Sequence, residues 1–148
     1  MSDVYTFHRA RLGSDAAEIR ALGVSTPELD VGGARGGMMT LEEIEDSIRL
    51  DQIWIVAKNN DHVVGFAHIN LSDSDRAPRG SACLVYFMMA PEHRRAGCGK
   101  KLYQFAFAEA YLRGVRHLYT WANSSAAPFF MKQGLSLGKV CFWMDVEL

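Results

Sequence analysis

Cysteine is scarce in this 148-residue chain: three residues, Cys83, Cys98 and Cys141. They form an odd number and show no C-x-x-C spacing, which argues against a disulfide framework or a zinc site and fits a reducing compartment. Long apolar runs are also missing, and none approaches the ~20 residues that a bilayer-spanning helix needs. The opening Met1-Ser2-Asp3-Val4-Tyr5 lacks a basic stretch followed by apolar residues, so no signal peptide is expected. A cytoplasmic protein without membrane contact is the expectation. Excess charge is lacking as well: the net charge is −1, which argues against a general polyanion binder and hence against nucleic acid as a partner. No internal repeat, low-complexity tract or linker divides the chain, so a single domain over residues 1–148 is expected. The apolar fraction of 49% and charged fraction of 22% are ordinary for a globular protein.

What positive charge there is gathers at Arg94-Arg95-Ala96-Gly97-Cys98-Gly99-Lys100-Lys101. Ala82 to Met89 before it is an apolar run of strand length, and Pro91 stops it from continuing as a paired ladder. Beyond it, Leu102, Phe105, Ala106, Glu109 and Leu112 recur at helical spacing. A strand feeding through glycines into a helix leaves helix N-terminal amides without partners. Those amides and the positive end of the helix dipole favour phosphate. Gly97 and Gly99 remove side chains that would hold a phosphate away. Two better-known phosphate loops are excluded. Lys100 is followed by Lys101 with no glycine at the upstream position that a nucleoside-triphosphate loop requires. Leu102 stands where a dinucleotide fingerprint needs its third glycine.

The other segments divide into strands, helices and loops. Val4–Ala10 is a first strand. Ser14 and Asp15 are candidate N-caps, with Asp15-x-x-Glu18 resembling a capping box, for a helix that buries Ile19 and Leu22 and stops near Gly23. Val24–Met39, with its glycine run, is a loop, whether a mobile surface loop or a lid over the acceptor. Thr40-Leu41-Glu42-Glu43 is a capping box opening a helix whose buried stripe is Leu41, Ile44 and Ile48. Ile53–Lys58 and Val63–Leu71 form a hairpin about Asn59-Asn60-Asp61. After the central strand and a helix ended by Gly114 come a strand at Val115–Ala122 and a short helix at Ala126–Gln133 stopped by Gly134. A terminal strand at Val140–Val146 closes the chain. The expected fold is α/β (α+β), with a mixed central sheet, antiparallel upstream and parallel across the 83–122 crossover, and helices on both faces.

Arg94-x-x-Gly97-x-Gly99 directly after a strand resembles the pyrophosphate motif of the GNAT superfamily of acyl-CoA-dependent N-acyltransferases. A second signature of that family, N-x-x-A-x-x-F-Y-x-K-x-G-F, is matched at Asn123, Ala126, Phe129, Lys132 and Gly134, and the order of elements agrees along essentially the whole chain. The resemblance implies acetyl-CoA (coenzyme A) as cofactor and a mostly antiparallel sheet whose fourth and fifth strands, a parallel pair, splay apart. The pyrophosphate is expected on the amides of Arg95, Ala96, Gly97, Cys98, Gly99 and Lys100, with Arg94 adding charge. The pantetheine arm is expected along the backbone of Phe87, Met88 and Met89, with Asn123 hydrogen-bonded to it and the Phe129–Phe130 region near the thiol. The reaction implied is direct attack of an amine on the thioester, polarised by an amide near Met89.

The family's usual proton donor, the tyrosine of F-Y, is Phe130 here, and phenylalanine donates no proton. Strands four and five carry no carboxylate. The titratable side chains left on the central strands are His68, Cys83, Tyr86 and Tyr119, of which His68 and Tyr119 are the candidate catalytic residues. Cys83 reads as a packed core residue and Cys98 as a small spacer in the loop. No metal is expected. The acceptor would be a small-molecule or peptide amine, and Phe142 and Trp143 leave room for a homodimer. A coenzyme A-binding sensor or partner-binding module with little transferase activity is the competing reading, motivated by Phe130 and the missing carboxylates.

Overall fold

The computed structural model describes residues 4–25, 38–71, 80–94, 97–120 and 127–135. Five strands form one sheet in the order β1 (Tyr5–Arg9), β2 (Ile53–Asn59), β3 (His62–Asn70), β4 (Ser81–Met89) and β5 (His117–Thr120). The first three pairings are antiparallel, and β4 pairs with β5 in parallel. The connection between β4 and β5 is α3 (Cys98–Leu112), the crossover that a parallel pair requires. The mixed, mostly antiparallel sheet expected from the sequence is what the chain builds.

Strand alternation sends two sets of side chains to opposite faces. Ile53, Ile55, Ala67, Ile69 and Leu84 pack against Leu102, Ala106 and Ala110 of α3. Trp54, Val56, Phe66, Tyr86 and Met88 pack against Ala16, Ile19 and Ile44, which belong to α1 (Ser14–Ser25) and α2 (Leu41–Arg49). Helices therefore cover both faces. The capping box at α2 forms as its sequence requires: Thr40 Oγ1 accepts from Glu43 N–H at 3.2 Å, and Glu43 Oε1 accepts from Thr40 N–H at 3.0 Å.

Several local expectations need correction. Asp15 does not cap α1. It lies inside the helix, 1% exposed, where its carboxylate meets Lys58 Nζ at 2.6 Å and accepts from Arg11 N–H at 2.9 Å. Glu18 instead accepts from Val63 N–H at 3.2 Å. The helix runs through Gly23 to Ser25, and Gly23 makes room for Met38, whose Sδ would lie 2.5 Å from an added Cβ. Leu41 is 39% exposed and outside the buried stripe, which holds Ile44 and Ser47. β5 begins at His117, not Val115, because Val115 N–H closes the end of α3 on the Ala110 carbonyl. The terminal strand at 140–146 lies outside the described residues.

The Asp15–Lys58 pair ties α1 to β2. Burial alone would raise the Asp15 pKa. The Lys58 hydrogen bond, backed by the Arg11 amide, outweighs it and holds the carboxyl below its ordinary value. Asp15→Asn keeps the shape and leaves Lys58 without its counter-charge. A loss of about 2 kcal/mol is expected, read as a lower urea midpoint at unchanged slope. Because the folded pKa is depressed, the pair's contribution is present above the ordinary carboxylate range and is lost as pH falls below it.

Candidate functional site

The site is built at the C-terminal end of β4. Among the described residues the parallel β4–β5 ladder covers Ser81 to Leu84 against His117 to Thr120, and Thr120 Oγ1–H donates to the Leu84 carbonyl at 2.8 Å. On the other side the β3–β4 register advances by two residues on β4 for one on β3: His68 faces Tyr86 while Ile69 faces Leu84. Val85 is therefore an extra residue, a bulge that bends the strand and re-aims the side chains beyond it. Ala82 and Leu84 face the α3 side, whereas Tyr86 and Met88 face the α1–α2 side.

From Tyr86 to Met89, β4 is paired with β3 alone among the described residues. Ala90 N–H donates to the Val64 carbonyl at 2.7 Å. Successive amides of a strand point to opposite edges, so the N–H groups of Met89 and Phe87 point away from β3, toward the edge on which β5 pairs earlier in the strand. An extended ligand can add to that edge as a strand would.

The chain then turns through Pro91–His93, a single 3-10 turn closed by His93 N–H on the Ala90 carbonyl at 2.9 Å. His93 Nδ1 lies 2.9 Å from the Tyr5 hydroxyl, which ties the turn to β1. Gly97 precedes α3 with φ of +76°, a left-handed conformation that suits glycine. No side chain caps the helix there, and the first intrahelical donor is Lys101 N–H to the Gly97 carbonyl at 3.4 Å. The amides of Cys98, Gly99 and Lys100 thus have no acceptor among the described residues, while Arg94, Lys100 and Lys101 lie exposed around them. This donor set fits a pyrophosphate. A Cβ on Gly97 would meet nothing within 4 Å, and one on Gly99 would lie 3.7 Å from Met89 Cγ and 3.8 Å from Phe129 Cε1.

The structure thus brings Phe87, Met88, Met89, Arg94, Gly97, Cys98, Gly99 and Lys100 together at one sheet end. Arg95, Ala96 and Asn123 lie outside the described residues. Cys98 is buried, and burial pushes its thiol pKa up against the opposing effect of Lys101. Phe130 is 5% exposed, with ring centres 5.7 Å from Phe87 and 5.4 Å from Phe129. Phe129 is the ring adjacent to Gly99.

His68 is 2% exposed and stacked on Trp54 at 3.9 Å and 10°. Its Nδ1–H donates to the Ile53 carbonyl at 2.9 Å, and burial lowers its pKa to about 4. It is therefore a neutral imidazole near neutral pH. Tyr119 pairs with Cys83 across the ladder, half-buried, and burial together with Cys83 raises its pKa. Tyr86 has a role that its sequence position does not suggest. Its hydroxyl accepts from Met39 N–H at 3.1 Å, and Arg20 Nη1 donates to the Met38 and Met39 carbonyls at 3.0 and 2.8 Å. These contacts fix the chain entering α2 onto β4, and only the bulge at Val85 puts Tyr86 on that face. Among the described residues no cluster of His, Cys, Asp or Glu could hold a metal ion, and no helix is long and apolar enough to cross a membrane.

The profile of the acetyltransferase (GNAT) family matches residues 28–135. The fold is similar to that of a GNAT-family acetyltransferase from Streptococcus pneumoniae, with TM-score 0.72 and 23% identity over 91% of this chain and 86% of the other. It is similar to ribosomal-protein-alanine N-acetyltransferase from Brucella melitensis, with TM-score 0.70 and 22% identity over 90% and 86%. It is also similar to N-acetylglutamate synthase from Neisseria gonorrhoeae, solved with coenzyme A and N-acetyl-glutamate, with TM-score 0.67 and 16% identity over 90% of this chain and 28% of that one. No curated protein sequence matches the chain.

Proposed function

Because the chain belongs to the acetyltransferase (GNAT) family, its reaction is acetyl transfer from acetyl-CoA, and we propose that the acceptor is a primary amine of a small molecule or a peptide. The observation that carries this reading is the nearness of two donor sets. The outward amides of Phe87 and Met89 lie beside the start of α3, where a Cβ on Gly99 would stand 3.7 Å from Met89 Cγ and the amides of Cys98, Gly99 and Lys100 have no acceptor among the described residues. The first suits an extended amide-bearing arm and the second a pyrophosphate, at the two ends of one ligand. The names of two of the similar proteins, a ribosomal-protein-alanine N-acetyltransferase and an N-acetylglutamate synthase, make peptide N-termini and amino acids the first amines to try.

When bound, acetyl-CoA supplies the acetyl group as an activated thioester. A β4 amide on the same edge, an arm's length from the pyrophosphate end, would polarise the thioester carbonyl. Tyr119 is the side chain assigned here to return a proton to the departing sulfur, because its hydroxyl is protonated near neutrality like any tyrosine's, although burial raises its pKa and makes it a weaker donor. His68, held neutral under Trp54, is better suited to packing than to base catalysis. Tyr119→Phe is expected to lower kcat about tenfold with coenzyme A affinity unchanged. An unchanged kcat would assign proton delivery to water.

The enclosed ring of Phe130 favours one second reading, a coenzyme A-binding sensor with little turnover. Free coenzyme A release with a panel of amino acids, peptide N-termini, polyamines, aminoglycosides and arylamines separates the two. At least one amine is expected to accelerate release. Binding of acetyl-CoA with no acceleration by any amine class would favour the sensor.

A further inference from the structure

Met89 brings more to the site than its backbone. Its side chain is 6% exposed and packs on the α3 face of the sheet. Across the β3–β4 ladder it faces Gly65. A Cβ on Gly65 would fall on Met89 Sδ and stand 3.0 Å from its Cε, so the side chain missing from β3 is the space that the methionine fills. Nearer its root the same side chain reaches the start of α3, where its Cγ would lie 3.7 Å from a Cβ on Gly99.

The first turn of α3 therefore rests on β4 through side chains. Phe129 Cε1 would lie 3.8 Å from that same Cβ, and the Phe129 ring stacks on Phe87 at 5.1 Å and 28°. Phe87 and Met89 are also the residues whose amides face outward from β4. Alternation explains the coincidence, because residues two apart on a strand share both an amide edge and a side-chain face. One pair of residues thus presents the arm's donors along the edge and seats the pyrophosphate's donors on the face. Close-packed side chains pass a change of volume to their neighbours. The separation of the two donor sets accordingly depends on what fills the gap between Gly65 and Gly99.

We propose that Met89 is a positioning residue for the cofactor, whose side chain spaces the start of α3 from the β4 edge so that one molecule of coenzyme A reaches both. The proposal rests on the acetyl-CoA reading above. Two binding elements joined covalently reinforce each other only when their sites stand at a separation that the linkage can span. The spacing therefore favours intact coenzyme A over an adenine nucleotide that carries the same diphosphate without the arm.

The test compares Met89→Ala and Met89→Leu. Alanine removes the Cγ and Sδ that meet Gly99 and Gly65. Leucine keeps carbon at both the γ and δ positions and nearly the same volume. Affinities for coenzyme A and for its two halves, pantetheine and 3′-phospho-ADP, are measured on each protein by calorimetric titration, with amide shifts for the weaker halves. Wild type is expected to bind coenzyme A far more tightly than either half. Met89→Ala is expected to bind each half within about threefold of wild type, while its affinity for coenzyme A falls by about tenfold or more. Met89→Leu is expected to recover most of that loss. A Met89→Ala protein that weakens equally toward whole and halves, or binds neither half, would overturn the inference, because the side chain would then serve the fold alone. Unchanged affinity for coenzyme A in Met89→Ala overturns it too, as does a Met89→Leu protein as weak as Met89→Ala. A wild-type protein that binds coenzyme A no better than one of its halves contradicts instead the reading that a single ligand spans both donor sets.

Discussion

Gly97→Asp and Gly99→Asp are each expected to lower coenzyme A affinity by at least ~100-fold, about 3 kcal/mol, while the protein stays folded. A carboxylate at either position stands among the amides that would hold the pyrophosphate. Like charges about 4 Å apart repel by roughly 4 kcal/mol at the effective dielectric of a protein surface. The cost to the fold is smaller, about 1 kcal/mol of backbone strain at Gly97. Nothing lies within 4 Å of a Cβ on Gly97, and a Cβ on Gly99 makes ordinary contacts at 3.7 Å or more. Aspartate is tolerated better than most residues at the +76° φ of Gly97. A negative charge in the first turn of α3 also favours the helix dipole. Gly97→Asn separates charge from bulk, with a loss within about tenfold. Calorimetric titration with coenzyme A and thermal melts check both halves. Unchanged affinity in both aspartate variants would remove the cradle from α3.

Acid is expected to destabilise the protein through His68 well above the range in which carboxylates titrate. Its folded pKa, about 4, lies below the 6.5 of an ordinary histidine because burial disfavours the charged ring. The sign comes from proton counts. Above about pH 6.5 neither state holds this proton. Between the two values the unfolded chain takes it up and the folded chain does not, so stability falls as pH falls. The span corresponds to roughly 3 kcal/mol lost between pH 7 and pH 4. His68→Gln retains a donor for the Ile53 carbonyl and removes the titration. Urea unfolding across this range is expected to slope less steeply in the variant. Equal slopes would place the acid sensitivity elsewhere.

Much of the frame was legible in the chain because its signals are local. Gly114 and Gly134 stop their helices at φ of +90° and +100°, Asn60 and Asp61 turn the hairpin at +52° and +62°, and Thr40 with Glu43 closes its box. The apolar run 82–89 reads as a strand, and the glycines after it read as a phosphate loop. Tertiary effects were not legible. Asp15 looks like a cap until Lys58, on another strand, takes its carboxylate. Gly23 looks like a helix end until Met38 fills the space beside it. The bulge at Val85 leaves no mark in an uninterrupted apolar run, yet it decides which face Tyr86 and Met88 serve. Likewise, His68 looks like a candidate base in the sequence. The register that sets it against Trp54 makes it a buried neutral ring. Arg94, counted with its charged neighbours as phosphate-binding, gives its hydrogen bond to the strand end, a contact that depends on the turn between them.

One ligand is proposed to span the outward edge of β4 and the start of α3, and titration of isotopically labelled protein with coenzyme A, monitored by backbone amide shifts, tests this. The largest changes are expected at the amides of Phe87 and Met89 and at Gly97, Cys98, Gly99 and Lys100, with β1 and α2 unmoved. Binding that leaves those amides in place and shifts another surface would contradict it.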